Sequence, residues 1–115
     1  MSRRSRSGVA AGGRARAAAF AALGDETRLA LVARLCRGKP HSISQLTQGS
    51  GVSRQAITKH LRVLEGAGIV HSVRHGRESR FAFDPEPMAE IKDYLDSVSE
   101  QWDQALARLK AFVEK

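Results

Sequence analysis

The stretch SRQAITKHLRVLEGAGIV at residues 53–70 predicts a helix that is buried on one side and polar on the other. Ser53 precedes the apolar pattern and is a typical N-cap residue, and the glycines within residues 66–68 predict where the helix ends. The residues that predict its buried side recur at helical spacing: Ile57, Leu61 and Leu64. The opposite side of the same helix is left for polar residues.

The segments before this helix predict three more helices. Ser42 and Gln45 have the spacing of a capping box, so a short helix containing Leu46 is expected, followed by a glycine-rich turn at residues 48–51. A helix, a tight turn and a second helix make up the helix-turn-helix unit. Further upstream, residues 14–23 are alanine-rich and favour a helix that stops at Gly24. Asp25 then caps another helix, whose predicted buried stripe is Leu29, Val32, Leu35 and Cys36.

The segments after it change from helical to alternating periodicity. Residues 69–74 and 79–83 suit two strands, and residues 75–78 suit the hairpin loop between them. The prolines within residues 84–87 interrupt the strand, and one long helix follows. Its apolar positions alternate in spacing between three and four, as in a heptad repeat: Met88, Ile91, Leu95, Val98, Trp102, Ala105, Leu109 and Phe112.

These elements predict a mainly α fold with a small β-hairpin wing, a winged helix-turn-helix in the order α-α-α-α-β-β-α. Residues 1–13 are rich in Ser, Arg, Gly and Ala without a large apolar anchor, which predicts a disordered basic tail. Residues 14–115 are then one winged helix-turn-helix domain.

Composition excludes several classes of protein. The chain has 115 residues, of which 42% are hydrophobic, so one domain with its own core is expected rather than a disordered chain. A single cysteine excludes an intrachain disulfide and suits a reducing compartment. No apolar run is long enough to span a bilayer, which predicts a cytoplasmic protein without a membrane partner. The net charge of +7, concentrated before the acidic C-terminal segment, suggests a polyanion as partner.

The polar side of the helix at residues 53–66 has the residue types that read DNA in the major groove. Arg bonds guanine edges and Gln bonds adenine edges, whereas Ser and Thr bond bases or phosphates. Residues near the N-terminus of a recognition helix lie closest to the bases, so Arg54, Gln55 and Thr58 are the predicted base readers, and Lys59 and Arg62 the predicted phosphate contacts. The candidate DNA-binding residues of this helix are Ser53, Arg54, Gln55, Thr58, Lys59 and Arg62. A solvated polar helix face is the alternative interpretation.

The predicted hairpin adds Arg74 and Arg77 to the candidate DNA-binding residues. A basic β-ribbon beside a recognition helix can follow the phosphates or enter the minor groove, where arginine is favoured. The alternative is an ordinary turn whose charges protect a sheet edge from aggregation. The helix-turn-helix spacing and the charged hairpin together favour double-stranded DNA as the partner.

Three motifs in order resemble the ArsR (arsenical-resistance repressor) family of winged-helix transcriptional regulators. They are FAALGDETRLALVARL at residues 20–35, the stretch at residues 53–70, and RHGRESRFAFDP at residues 74–85. The resemblance covers about residues 15–112 and implies a homodimeric repressor whose two recognition helices meet successive major grooves of a palindromic operator. It also implies a dimer interface formed by the first and last helices, through Phe20, Leu23, Leu95, Val98, Trp102, Leu109 and Phe112. Packing of the last helix on its own domain is the alternative.

The chain departs from the metal sensors of that family. Those sensors place paired cysteines in the helix before the recognition helix, or Asp and His pairs in the last helix. This chain has neither, because residues 42–44 are Ser, Ile and Ser and the last helix has no histidine. Cys36 is alone and the four histidines are scattered, whereas such metals need several Cys or His ligands together. We therefore expect the metal-independent type, with no metal, no cofactor and an unknown effector.

Three functions remain open on the sequence. The first is a dimeric repressor, either with an unidentified effector or with none and regulated by its own synthesis. The second is a protein-interaction module that kept the winged-helix shape without specific DNA binding, against which the basic helix side and hairpin argue. The third is an enzyme, and against it the sequence has no phosphate-binding glycine loop, metal-ligand set or nucleophile with an identifiable base. The first is favoured and the chain is not expected to be an enzyme.

Overall fold

The structure is a computed structural model that describes residues 2–114, with side chains from residue 13 onward. These residues form five helices and three strands: α1 (Ser2–Leu23), α2 (Glu26–Leu35), β1 (His41–Ser42), α3 (Ile43–Thr47), α4 (Arg54–Gly66), β2 (Val70–His75), β3 (Glu78–Phe83) and α5 (Pro85–Val113). They divide into two compact units, one that ends at residue 85 and one that begins at residue 86. The predicted mainly α fold with a hairpin wing is confirmed.

Each predicted helix cap is present. The Asp25 carboxylate accepts a hydrogen bond from the Arg28 backbone N–H at 3.0 Å, which begins α2. Ser42 and Gln45 form both bonds of the capping box of α3, at 3.1 and 2.8 Å. Ser53 Oγ accepts from the Ala56 N–H at 3.1 Å and begins α4. Caps satisfy backbone donors that the first helical turn leaves without partners, and for this reason short sequence patterns predict them well.

The core of the first unit lies between the helices and the sheet. Its fully buried side chains come from α2, α3, α4 and β2 with the residue before it: Leu35, Leu46, Ile57, Leu61, Leu64, Ile69 and Val70. The predicted stripe of α2 is wrong in part, because Leu31 is buried whereas Leu29 is 53% exposed and Cys36 is exposed. The buried face is centred on Leu31 and Leu35, one turn apart, and Cys36 lies beyond the last helical residue.

The wing is a β2–β3 hairpin with a tighter turn than the sequence predicts. His75 pairs with Glu78, so only Gly76 and Arg77 form the loop. Gly76 has a φ of +65° and Arg77 has a negative φ, which is the type II′ arrangement that suits the twist of two paired strands. The strand β1 was not predicted; His41 pairs with Phe81 across the sheet and makes β3 the central strand.

The two terminal helices are longer than predicted. α1 runs as helix from Ser2, so its backbone includes the segment predicted to be a disordered tail; the side chains of residues 1–12 lie outside the described part, and that tail remains a prediction. α5 begins at Pro85, where a missing N–H costs no intrahelical hydrogen bond. Within the described chain, Ile91 is the one residue of α5 that is buried.

Candidate nucleic-acid interface

α4 has a fully buried apolar side and a mainly polar outer side, on which Val63 is 45% exposed. Ile57, Leu61 and Leu64 are 0% exposed on its inner side. The outer side carries a shallow groove of about 530 Å³. That groove is lined by five of the predicted DNA-binding residues, Arg54, Gln55, Thr58, Lys59 and Arg62. Since the buried side is held by the core, the polar side is presented to solvent in a fixed orientation.

The two hydroxyl groups of this face already have partners within α4. Ser53 Oγ accepts the capping hydrogen bond from Ala56, which leaves its O–H proton to donate. Thr58 Oγ1 donates to the Arg54 carbonyl at 2.9 Å, so it can only accept from a ligand. Gln55 is exposed, and it has both an amide donor and an amide acceptor. Gln55 therefore offers the most complete hydrogen-bonding edge of this face.

Arg54 links α4 to the helix before it. Its Nη1 donates to Ser44 Oγ at 3.1 Å, and both side chains are exposed. Sequence reasoning considered Ser44 only as a position without a cysteine and missed this contact. The capping box at Ser42 was the available signal, because it places Ser44 in the first turn of α3.

The structure brings one wing arginine next to this link and leaves the other outside. Arg54, Arg77 and Ser44 line a single cleft of about 400 Å³. Its remaining wall is formed by Ser42, Ile43, Glu78 and Ser79. Arg74 is exposed on β2 but does not line this cleft. Glu78 accepts a hydrogen bond from Arg80 Nε at 2.9 Å, which engages the one carboxylate among the lining residues.

A cluster behind α4 fixes its position against α1 and α2. The Arg28 guanidinium donates to the Ala22 carbonyl and to His60 Nδ1, the latter at 3.2 Å. Asp25 Oδ2 lies 3.9 Å from the same ring nitrogen. The hydrogen bond from the Arg28 N–H is the main reason why the pKa of Asp25 lies below its usual value, against a smaller desolvation effect. His60 thus joins α4 to the start of α2.

α3 is held in a similar way. Arg34 of α2 donates from Nη1 to the Leu46 carbonyl and from Nη2 to the Gln45 carbonyl, both at 3.0 Å. These carbonyls lie in a helix of five residues that has few backbone bonds of its own. Sequence reasoning missed Arg28 and Arg34, because their partners lie on other elements and no local pattern reveals them.

The predicted interface residues of the terminal helices are mainly exposed. On α5, Leu95, Leu109 and Phe112 are exposed together with Trp102, whose exposed fraction is 68%. Val98 and, on α1, Leu23 are half-buried, and Phe20 is 36% exposed. Within the described chain, α5 therefore presents a long apolar stripe to solvent.

No group of three or more His, Cys, Asp or Glu side chains between residues 13 and 114 is arranged to hold a metal ion. None of the helices, over the part of the chain that is described, has the length and apolarity that crossing a bilayer requires.

The fold and the site define a class of protein. A helix-turn-helix of α3 and α4, followed by a basic two-stranded hairpin, is a winged helix-turn-helix. A family model described as a helix-turn-helix domain matches residues 23–73. The chain is also similar to the HTH-type transcriptional regulator Rv2034 of Mycobacterium tuberculosis, with 36% identity over 88 residues that cover 76% of this chain and 78% of that protein.

Solved structures agree with this class. An ArsR-like transcriptional regulator from Rhodococcus sp. RHA1 is similar at a TM-score of 0.74 and 37% identity, over 89% of this chain and 95% of the other. A Mycobacterium bovis domain, described as homodimeric and as a possible ArsR-family regulator, shares the fold at a TM-score of 0.64 and 21% identity, over 80% and 84% of the two chains. The chain belongs to the ArsR family of winged helix-turn-helix transcriptional regulators, and is a regulator rather than an enzyme.

Proposed function

We propose that the chain is a homodimeric repressor that binds a palindromic DNA operator. In this proposal α4 enters the major groove and the β2–β3 wing follows the neighbouring phosphates. The observation that carries it is the groove on α4, which Arg54, Lys59 and Arg62 line together with Gln55 on a face whose opposite side is fully buried. No carboxylate among the described residues lines that groove, so its charge is available to a polyanion.

Affinity and discrimination come from different residues. Neutralising backbone phosphates releases condensed counterions, which makes binding tight at low salt and indifferent to sequence. Lys59, Arg62 and the wing supply this contribution. Base edges are read by groups that match their donors and acceptors, and the Gln55 amide fits an adenine edge bidentately. The N-terminal half of α4, which in a helix-turn-helix approaches the bases, is also where Gln55 lies.

A second copy of the chain is the proposed partner of α5. Large apolar patches exposed on a small protein mark interaction sites. The stripe around Trp102 has heptad spacing, which suits packing against another helix of the same kind. The structural neighbour from M. bovis is itself described as homodimeric, which supports the proposal. Two copies related by a two-fold axis would match two half-sites of a palindrome. As a regulator of transcription, the dimer is expected to act in the cytoplasm.

The test is a binding assay on DNA upstream of the coding region of the protein itself, with a random duplex of equal length as the control. We expect the protein to retard the upstream DNA at concentrations that leave the random duplex free. Sedimentation should give a complex with two subunits on each operator. Binding that is unchanged by zinc or by a chelator is expected for a metal-independent repressor. A monomer that ignores both duplexes at low salt would contradict the proposal.

A further inference from the structure

The cleft between α3, α4 and the wing has the residue types of a phosphate-binding site. Arg54 lines it from α4 and Arg77 from the turn of the wing, and Ser44 of α3 adds a hydroxyl to the same lining. The Arg54 guanidinium is drawn toward α3 by its 3.1 Å bond to Ser44 Oγ, although Arg54 is the first residue of α4. Its head group is therefore turned toward the wing side of the helix.

The charges of the cleft favour an anion. Glu78 is the one carboxylate among its lining residues, and it is occupied by Arg80 at 2.9 Å. No carboxylate of the described chain pairs with Arg54 or Arg77. Two exposed arginines therefore line one cleft, and both would attract an anion that enters it.

The hydroxyl of Ser44 adds a hydrogen-bond donor to this site. Its oxygen accepts the Arg54 N–H, so its own proton remains free to donate to a second acceptor. A guanidinium that bonds one serine oxygen keeps further N–H groups for a phosphate oxygen. Pairing of β1 with β3, which sets Ser42 opposite Arg80, keeps α3 beside the wing and so fixes the width of the cleft.

We propose that Ser44, Arg54 and Arg77 together bind one backbone phosphate of each DNA half-site. This inference rests on the proposed DNA-binding function and deepens it. It reassigns Arg54 from reading a base edge to binding the backbone, and adds Ser44 to the interface. Sequence discrimination then depends mainly on Gln55.

The test uses operator duplexes in which single phosphates are replaced, one at a time, by uncharged methylphosphonates. With the wild-type protein we expect several sensitive positions, because Lys59, Arg62 and the wing also contact phosphates. One position in each half-site, where binding weakens about ten- to hundredfold as for a lost hydrogen bond to a charged group, should depend on Arg54 and Arg77 together. Arg54→Ala and Arg77→Ala should bind more weakly overall and lose sensitivity at that same position. Their losses should be equal on operator and random DNA, and the salt slope should become shallower by at most about 0.9 per subunit, the value for one phosphate.

Ser44 variants and a matched helix variant give the controls. Ser44→Ala should reduce sensitivity at the same phosphate, and Ser44→Thr, which keeps the hydroxyl, should restore it. Gln55→Ala should keep the full sensitivity while it loses preference for the operator over random DNA. Thermal unfolding monitored by circular dichroism shows that each variant is folded.

Two outcomes separate this proposal from the function on which it rests. If Arg54→Ala changes the preferred base pair at one operator position and keeps the methylphosphonate sensitivity, Arg54 reads a base. The proposed phosphate-binding site is then wrong. If the wild-type chain binds no duplex, the proposed DNA-binding function is wrong, and so is the phosphate-binding site that rests on it.

Discussion

The exposed sides of α4 and α5 have opposite chemistry, although both helices are amphipathic. α4 buries three aliphatic side chains completely and exposes amide and guanidinium groups. α5 buries Ile91 within its described residues and exposes apolar side chains over its length, up to 77% for Phe112. α4 buries its apolar side within the chain, whereas most of the apolar side of α5 is in contact with water.

This difference indicates two kinds of partner. A cationic and amide-bearing surface is well hydrated in the absence of a ligand, so it needs no cover until a polyanion displaces its counterions. An apolar stripe in water costs about 25 cal/mol for each Å² that stays exposed, so covering it stabilises an assembly. The proposed operator follows from the surface of α4, and the proposed second copy follows from that of α5. Substitutions can therefore remove either surface and leave the other intact.

The largest expected effect is on the buried side of α4. Leu61→Ala should lower the free energy of unfolding by about 2–5 kcal/mol, because the cavity it leaves adds to the lost transfer energy. Val63→Ala, on the exposed side of the same helix, should change it by less than about 0.5 kcal/mol. Urea unfolding measures both. Equal losses for the two variants would mean that α4 does not separate its sides as described.

The next effect is on the stripe of α5. Trp102→Glu should weaken self-association by about 2 kcal/mol or more, because a charge replaces a large aromatic contact near the middle of the stripe. Sedimentation equilibrium measures the dissociation constant. Glu100→Gln, at an exposed polar position of the same helix, is the matched control and should leave the constant unchanged. A Trp102→Glu variant that still dimerises normally would show that the stripe is not the interface.

A smaller effect sharpens the role of the α4 groove. Gln55→Ala should cost about 1–3 kcal/mol on the operator and almost nothing on random DNA, since a bidentate base contact is lost and no phosphate contact changes. Lys59→Ala should instead weaken both duplexes alike and flatten the salt dependence. Titrations at several salt concentrations separate the two. The assignment of roles is wrong if both variants lose the same on the two duplexes.

The cap of α4 joins stability and DNA binding at one residue. Ser53→Ala should destabilise the fold by about 1 kcal/mol, because the Ala56 N–H loses its acceptor. Ser53→Asp keeps an acceptor there and should unfold at the urea concentration of the wild type. The same substitution should weaken DNA binding, because it adds a negative charge beside Arg54. Unchanged affinity of Ser53→Asp would place the start of α4 away from the phosphates.

The smallest expected effect is a pH dependence from Asp25. Its folded-state pKa is lowered, chiefly by the Arg28 N–H, so its contribution to stability is complete above the unfolded value of 3.8 and is lost as pH falls through the folded value. Urea midpoints of the wild type and Asp25→Asn, measured from pH 6 to pH 2.5, test this. The advantage of the wild type should vanish only at the acid end. A constant difference between the two proteins would contradict the linkage.

Local patterns predicted the parts of the fold that are local in origin. The caps at Asp25, Ser42 and Ser53 and the buried side of α4 need only residues three or four positions apart. The candidate groove followed from the same periodicity, because the polar side is the remainder of the helix once the buried side is known. These features were predicted residue by residue.

Features that depend on distant partners were not predicted. β1 has two residues, too few for any alternation, and exists because β3 offers an edge. The burial of Leu31 instead of Leu29 depends on which side of α2 meets the core. The bond between Ser44 and Arg54 crosses ten residues of sequence, and that of Arg28 to His60 crosses 32. Such contacts follow from the tertiary arrangement, which a single sequence does not display.

Trp102 is the one tryptophan of the chain, and its indole ring is exposed on α5. The intrinsic fluorescence of the protein under selective excitation therefore comes from the stripe itself and from nowhere else in the molecule. Emission of an indole moves to shorter wavelength when water is withdrawn from it. The emission maximum in a dilution series of the unlabelled protein would accordingly report whether this ring is covered. The groove on α4 contains no tryptophan and would not contribute to the signal.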